Sequence, residues 1–318
     1  MTYRFVVARS LAFPDASLEA ETAGARADVR LADLETVEDV QRETVSADAV
    51  FITTHHMDAS RLDALGSDVR AVGRIGIGLD AIDLDAARER GIAVLHAPGY
   101  ATNEVATHTV ALLLAAQRRV VEVLDAGQGR WSDWVSAKPI EPLDEATLGL
   151  VGGGRIGIEV ARLTRALVGD TVVFDPYLSA DPDWARRVAT LDELLEQSDL
   201  ISLHLPLTDE TRGLIGAEQI ARMRPGTIIV NTARGALLDS AAAADGLASG
   251  HLGGVAVDVL ESEQPEPDHP LLTAPRAIVT PHVAWYSERS ARRVRSDTVA
   301  DVLAVLDGGE PVHGRRVA

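Results

Sequence analysis

A glycine-rich turn near the middle of this 318-residue chain, Gly152-Gly153-Gly154-Arg155-Ile156-Gly157, constrains its fold more than any other feature. A short apolar run (147–151) precedes it, and apolar residues at helical spacing follow: Ile156, Val160, Ala161, Leu163 and Leu167. Gly152, Gly154 and Gly157 thus have the G-x-G-x-x-G spacing in a strand–turn–helix setting, and Asp175 closes the next apolar run about 20 residues on. This pattern lets backbone amides and a helix N-terminus hold a pyrophosphate, with the acid placed for ribose hydroxyls. A unit that begins near residue 147 leaves the long segment before it free to build a second one.

That first segment alternates apolar runs with helical stretches. Strands are expected at 4–8, 29–31, 49–53, 71–75 and 93–96, and helices near 16–23, 37–45, 60–65 and 84–90. Such alternation implies a parallel sheet covered on both faces. Residues 104–126 then read as one long helix, apolar around most of its circumference and therefore buried between domains or subunits. Trp131 to Pro142 reads as an irregular connector. From 147 the alternation restarts, with strands expected at 147–151, 171–174, 200–203, 227–230, 254–258 and 277–279. The last segment, 287–306, is amphipathic and helical with no strand expected after it, and is assigned to the N-terminal unit.

Composition narrows the function classes. The chain has no cysteine, which excludes disulfides, thiolate metal sites and a cysteine nucleophile. Lys138 is its only lysine, leaving almost no candidate for Schiff-base chemistry. A formal net charge of −18 without a basic stripe argues against nucleic acid as a partner. No apolar run reaches membrane-spanning length and the N-terminus lacks a signal-peptide core, so a cytoplasmic location without membrane contact is expected. No histidine or carboxylate cluster has metal-ligand spacing, and no metal is expected.

In open α/β sheets ligands bind outside the carboxyl ends of the strands. In the central unit those ends carry the glycine turn, Asp175, His204, the Asn231-Thr232-Ala233-Arg234 segment, Asp258 with Glu261 and Glu263 beyond it, and His282. Arg234 offers a bidentate fork for a substrate carboxylate. His282 is a proton donor, and a carboxylate such as Glu263 paired with a histidine favours its protonated form and orients it. An acid at Asp175 repels a 2′-phosphate and favours NAD over NADP.

Along nearly its whole length the chain resembles the D-isomer-specific 2-hydroxyacid dehydrogenases. The resemblance is carried by GRIGIGLDAIDLDAA (73–87), LGLVGGGRIG (148–157), DPY (175–177), SLHLPLTDETRGLI (202–215), MRPGTIIVNTARGALLD (223–239), GGVAVDVLESE (253–263) and TPHVAWYSE (280–288). GYATNEVATH (99–108), AWYSE (284–288) and the Trp134–Gly157 connector are most similar to the C-terminal-binding-protein-like branch. The family implies a central Rossmann NAD-binding domain (100–285) inserted in a flavodoxin-like, discontinuous substrate-binding domain (1–99 and 286–318), with hinges near Gly99 and Trp285. It implies a homodimer acting on a small 2-oxoacid or D-2-hydroxyacid.

The resemblance also implies residue roles. Arg234, Glu263 and His282 are the catalytic set, with Arg234 on the substrate carboxylate and His282 giving a proton to the carbonyl oxygen. Gly76, Ile77 and Gly78 meet the substrate carboxylate through their backbone. Gly152, Gly154, Arg155, Ile156, Gly157, Asp175, His204, Thr232, Ala233, Arg234, Asp258 and His282 bind the cofactor, Asp258 through its carboxamide. Read from the residues themselves, Tyr100 and Trp285 could frame the substrate side chain or pack between the domains, and His55 and His56 end a strand where they could also face the substrate. His108 reads as a satisfied histidine rather than a catalyst. The chain departs from the family at Ala81, where Asn is common, at Thr107, where an acid precedes the histidine, and at Gln264, where proline is common. Formate dehydrogenases carry Gln at the position of Glu263, so Glu points to 2-oxoacid chemistry. An NAD(H)-sensing, corepressor-like interaction module and phosphite oxidation on the same scaffold are the alternative readings.

Overall fold

The computed structural model describes residues 2–127 and 140–318, which leaves Trp131, Trp134 and Lys138 outside the described residues. The chain divides into two compact units, Met1–Tyr100 with Ser287–Ala318, and Ala101–Tyr286. Among the described residues no helix is long and apolar enough to cross a membrane.

The first unit contains β1 (Tyr3–Ala8), α1 (Ser17–Ala23), β2 (Ala27–Ala32), α2 (Val37–Glu43), β3 (Ala49–Ile52), α3 (Ala59–Ala64), β4 (Ala71–Arg74), α4 (Leu84–Glu89) and β5 (Ala93–His96). These strands pair in parallel in the order β2-β1-β3-β4-β5, the flavodoxin-like arrangement. Apolar residues alternate between the faces. Val6, Val50, Val72 and Val94 pack on Val40, Leu62, Ala86 and Ala87 of α2, α3 and α4. The Phe5 and Phe51 rings meet at a tilt of 58°, with centroids 5.2 Å apart. Asp58 and Asp83 cap α3 and α4 through their side chains, and Thr36 with Asp39 forms a capping box on α2.

In the second unit, α5 (Thr102–Gln117) and α6 (Val120–Gly127) lead to β6 (Thr147–Val151), α7 (Arg155–Thr164), β7 (Asp170–Phe174), β8 (Arg186–Arg187), α8 (Leu191–Gln197), β9 (Leu200–Leu203) and α9 (Ala217–Arg222). Then come β10 (Thr227–Asn231), α10 (Ser240–Ala248), β11 (Leu252–Val257), α11 (Pro270–Thr273) and β12 (Ala277–Val279). The sheet is parallel throughout, in the order β8-β7-β6-β9-β10-β11-β12, the dinucleotide-binding arrangement with one added strand. Helices α5 and α7 cover one face and α8 to α11 the other.

Two expectations are corrected. The apolar segment 104–126 is two helices: Arg119 takes a left-handed conformation (φ 51°), which ends α5. Only one face of α5 is buried, and in α6 Val120, Val121 and Leu124 are 43, 39 and 66% exposed. The final helix, α12 (Glu288–Leu306), is followed by a strand, β13 (Arg315–Arg316), antiparallel to β5. It escapes the apolar pattern because both its residues are exposed arginines. What holds it is Asp301, a buried carboxylate that accepts from the backbone amides of Val312, His313 and Gly314 at 2.7, 2.9 and 2.6 Å.

Helix α12 packs against β4, β5 and α1, capped by reciprocal Ser287–Ser290 bonds. Its register on α1 is set by a bidentate pair in which Arg295 Nε and Nη2 donate to the two oxygens of Glu19 at 2.7 and 2.5 Å. The Glu19 side chain is fully buried, and the guanidinium lies 5.0 Å from the Phe13 ring centroid. Removing one partner strands the other charge, so Arg295→Met is expected to cost about 3–5 kcal/mol, with most of it recovered when Glu19→Leu is added. Urea titrations followed by circular dichroism check this; an unchanged midpoint in Arg295→Met would refute it.

Candidate active site

The strand order of the second unit reverses between β6 and β9, which opens a crevice at their carboxyl ends. The glycine turn follows β6 and His204 follows β9. Gly152 has φ 104°, and a Cβ there would stand 2.4 Å from the His204 carbonyl oxygen. A Cβ on Gly157 would stand 2.3 Å from the Gly152 carbonyl oxygen. At Gly154 the space is open. The turn is therefore packed tightly underneath and open above, and Gly154 caps α7 without a side-chain acceptor for the first helical amides. This cradle fits a pyrophosphate. Arg155 is exposed beside it, and Ile156 is half-buried. Asp175 accepts from the Gly153 amide through Oδ2 and from the Tyr177 amide through Oδ1, both at 2.8 Å, which fixes its carboxylate next to the turn.

His204 is half-buried, with Nε2 2.9 Å from Ser202 Oγ. Loss of solvent pushes its pKa down to about 4, so its ring is neutral at physiological pH.

After β10, the Asn231 side chain braces the next loop, donating to the Arg234 carbonyl at 2.8 Å and accepting from the Ala233 amide at 3.0 Å. Thr232 Oγ1 lies 2.8 Å from Thr109 Oγ1. A Cβ on Gly235 would overlap the Leu260 backbone, so Gly235 lets this loop press against the segment that leads to Glu263. The positive charge of Arg234 reaches Glu263 and helps lower its pKa.

After β11, Asp258 is 1% exposed and gathers the loop that follows β12. Its Oδ1 accepts from Thr280 Oγ1 and, at 3.0 Å, from the Val283 amide; its Oδ2 accepts from the Ala284 amide at 2.8 Å. Thr280 spends its one proton on Asp258, so His108 Nε2, 3.0 Å from Thr280 Oγ1, is the donor to it. Burial pushes Asp258 up, but these bonds outweigh it and hold the carboxyl below its usual range. The anchored loop carries His282 at φ 52°, a left-handed conformation uncommon outside glycine and here fixed by bonds on both sides. The His282 amide donates to the Asp258 carbonyl at 2.8 Å, and Trp285 Nε1 donates to the His282 carbonyl at 2.9 Å. His282 Nδ1 lies 2.6 Å from Glu263 Oε1. That bond is the largest influence on Glu263 and holds its carboxyl below the usual range.

The second unit thus brings the glycine turn, Asp175, His204, Thr232, Ala233, Arg234, Asp258, Glu263 and His282 to the carboxyl ends of one sheet, and joins Glu263 to His282 directly. Asp258, 1% exposed, is the post of the His282 loop. In the first unit, Gly76, Ile77 and Gly78 follow β4, and Tyr100 ends the unit. His55 is buried, its Nδ1 3.3 Å from Thr53 Oγ1 and its Nε2 3.5 Å from Glu35; burial lowers its pKa despite that acid. His56 is exposed. Two side chains here escaped the sequence reading. Arg74 donates to the Ile75 carbonyl at 2.6 Å and to the Gly78 carbonyl at 3.0 Å, and His96 Nδ1 lies 2.8 Å from the Ile77 carbonyl oxygen. They end β4 and β5, so the rule applied to the central strands would have found them.

A parallel sheet with a glycine cradle at its switch point and a histidine–carboxylate pair at a strand end marks a nucleotide-dependent enzyme scaffold. Residues 110–284 match the sequence model of the D-isomer specific 2-hydroxyacid dehydrogenase NAD binding domain. The chain is 36% identical over 280 residues to a D-3-phosphoglycerate dehydrogenase of Archaeoglobus fulgidus, covering 87% of this chain and 52% of that protein. It is 34% identical over 285 residues to a glycerate dehydrogenase of Methylorubrum extorquens, covering 87% of this chain and 88% of that one. The crystal structure of a D-lactate dehydrogenase from Aquifex aeolicus complexed with NAD and lactic acid superposes with a TM-score of 0.85 at 28% identity, covering 96% of each chain. The chain belongs to the D-isomer specific 2-hydroxyacid dehydrogenase family and carries its NAD-binding domain. It spans about half the length of the D-3-phosphoglycerate dehydrogenases it matches.

The depressed histidine has a measurable consequence. With a folded pKa of about 4 and an ordinary unfolded value, the unfolded chain takes up the His204 proton first as pH falls. His204 should therefore cost stability on the order of 3 kcal/mol, lost progressively between about pH 6.5 and 4. Urea midpoints at pH 7.5 and 5 check this: His204→Asn should flatten the difference, and an equal fall in both proteins would refute the assignment.

Proposed function

We propose that the chain is an NAD(H)-dependent oxidoreductase interconverting a 2-oxoacid and a D-2-hydroxyacid, with residues 100–285 as the NAD-binding domain and residues 1–99 with 286–318 as the substrate-binding domain. The observation that carries this reading is the 2.6 Å contact between His282 Nδ1 and Glu263 Oε1, on a loop held at the carboxyl ends of a dinucleotide-binding sheet. The relatives named above act on small 2-hydroxyacids, and the Aquifex structure holds NAD with lactic acid.

The glycine turn and the N-terminus of α7 would hold the pyrophosphate, with Arg155 and Ile156 beside it and Asp175 on the adenosine ribose. NADH, when bound, supplies the hydride. Arg234 grips the substrate carboxylate with its planar fork and orients the carbonyl. The backbone amides of the 76–78 segment are donors to the same carboxylate. His282 gives its Nε2 proton to the carbonyl oxygen in reduction and takes it back in oxidation. Glu263, an anion at neutral pH, holds Nδ1 and stabilises the charged ring. Tyr100 and Trp285 are assigned to the substrate side chain. The acid at Asp175 selects NADH over NADPH.

An NADH-oxidation screen over a panel of 2-oxoacids, with NADPH in parallel, tests the reading. Turnover of at least one 2-oxoacid with NADH is expected, with little from NADPH. His282→Ala is expected to lower kcat by about 10²–10⁴-fold with NADH binding retained. Glu263→Gln should lower kcat for reduction, because the ring loses the anion that holds its Nδ1. Near-wild-type turnover in His282→Ala would sink the assignment.

Dimerisation is assigned to the exposed apolar face of α6, where a second copy would cover Val120, Val121 and Leu124. Sedimentation should give a dimer for the wild type and a monomer for Leu124→Glu; a dimer in both would place the interface elsewhere.

A further inference from the structure

The 76–78 segment has an uneven hydrogen-bond pattern. Four successive carbonyls are each occupied: Ile75 and Gly78 accept from the Arg74 guanidinium, Gly76 from the Ala97 amide at 2.9 Å, and Ile77 from His96 Nδ1 at 2.8 Å. The amides of Ile77 and Gly78 have no acceptor among the described residues. In a trans peptide the C=O and the following N–H point in opposite directions. Each occupied carbonyl therefore fixes the heading of the next amide. The Ala97 bond directs the Ile77 N–H away from β5, and the His96 bond does the same for the Gly78 N–H.

The His96 bond is the one that needs a side chain. Pairing of β4 with β5 continues one step past the strand through Ala97 and Gly76, and the His96 ring then catches the next carbonyl. Arg74 belongs to the strand that carries the segment and travels with it, whereas His96 ties it to the neighbouring strand. A carbonyl only accepts, so Nδ1 carries the proton. The backbone of His96 is itself held from the other side. It pairs with Arg315 of β13, and a Cβ on Gly314 would stand 2.2 Å from its carbonyl oxygen. Without the ring, the Ile77–Gly78 peptide, flanked by a permissive glycine, is free to rotate.

We infer that His96 is a positioning residue for the substrate: by holding the Ile77 carbonyl it keeps the Gly78 amide facing the substrate carboxylate. This rests on the function proposed above, in which the 76–78 amides receive that carboxylate. The substrate class it serves is the 2-oxoacids, recognised at the end common to all of them, so the effect is independent of the substrate side chain.

The experiment compares His96→Asn, which keeps an N–H donor, with His96→Leu, which does not. The readouts are KM and kcat for the best 2-oxoacid of the screen, the Kd of oxamate (an inert 2-oxoacid mimic) for the enzyme–NADH complex, and the Kd of NADH. His96→Leu should raise KM and the oxamate Kd about tenfold, the worth of one hydrogen bond, while His96→Asn stays near wild type and NADH affinity is constant. If the leucine variant does not fold, His96→Asp, close to Asn in size but without the donor, takes its place. Unchanged oxamate affinity in the donor-less variant, or equal losses in it and in His96→Asn, would overturn the inference. A wild type that neither turns over a 2-oxoacid nor binds oxamate would instead overturn the proposed function.

Discussion

The carboxylate of Asp258 is the interaction on which the chemistry of the second unit depends. Burying an anion is costly unless donors replace the lost water. Here Thr280 and the amides of Val283 and Ala284 replace it directly, with His108 completing the Thr280 link. All belong to the loop after β12 or to the helix beside it, so satisfying one charge also fixes the path of that loop. His282 is held in a left-handed conformation that a free chain would leave, and its ring meets Glu263 at 2.6 Å. One buried acid thus sets the geometry of the His282–Glu263 pair.

The chain carries a formal charge of −18 yet, in the function proposed, has two anions to hold. It would do so mostly with backbone. The glycine turn has open space above its N–H groups, and the 76–78 segment commits its carbonyls elsewhere. Oriented amides supply positive potential without a side chain that would pair with the surrounding acids. Arg234 is the exception, and the Gly235 contact with Leu260 brings its loop against the segment leading to Glu263.

Much of this was legible in the sequence. The strands 93–96, 147–151, 200–203 and 277–279 fall where the apolar runs placed them, because buried parallel strands read as continuous apolar stretches. The family and its NAD domain were legible because their motifs depend on glycine geometry and charge at fixed spacings. The break at Arg119 was not, since apolar periodicity runs straight through a left-handed residue. Nor was β13, whose anchor, Asp301, lies on another element. Arg74 and His96 stand at strand ends, where the rule for open sheets points, but their partners are backbone carbonyls, which no side-chain motif records.

The first unit takes its last helix from the far end of the chain. Its sheet is complete through β5 by residue 96, with α2, α3 and α4 on one face. The other face, with Phe5 and Phe51, waits for α12, whose Thr298 packs against Gly73 and whose Arg295 closes on Glu19. During synthesis, then, the half-covered sheet is made before the nucleotide-binding unit and stays so until α12 follows that unit. The middle of the protein can therefore be complete before its beginning is. For that interval the beginning displays an apolar face, and Glu19 is without the arginine that later pairs with it.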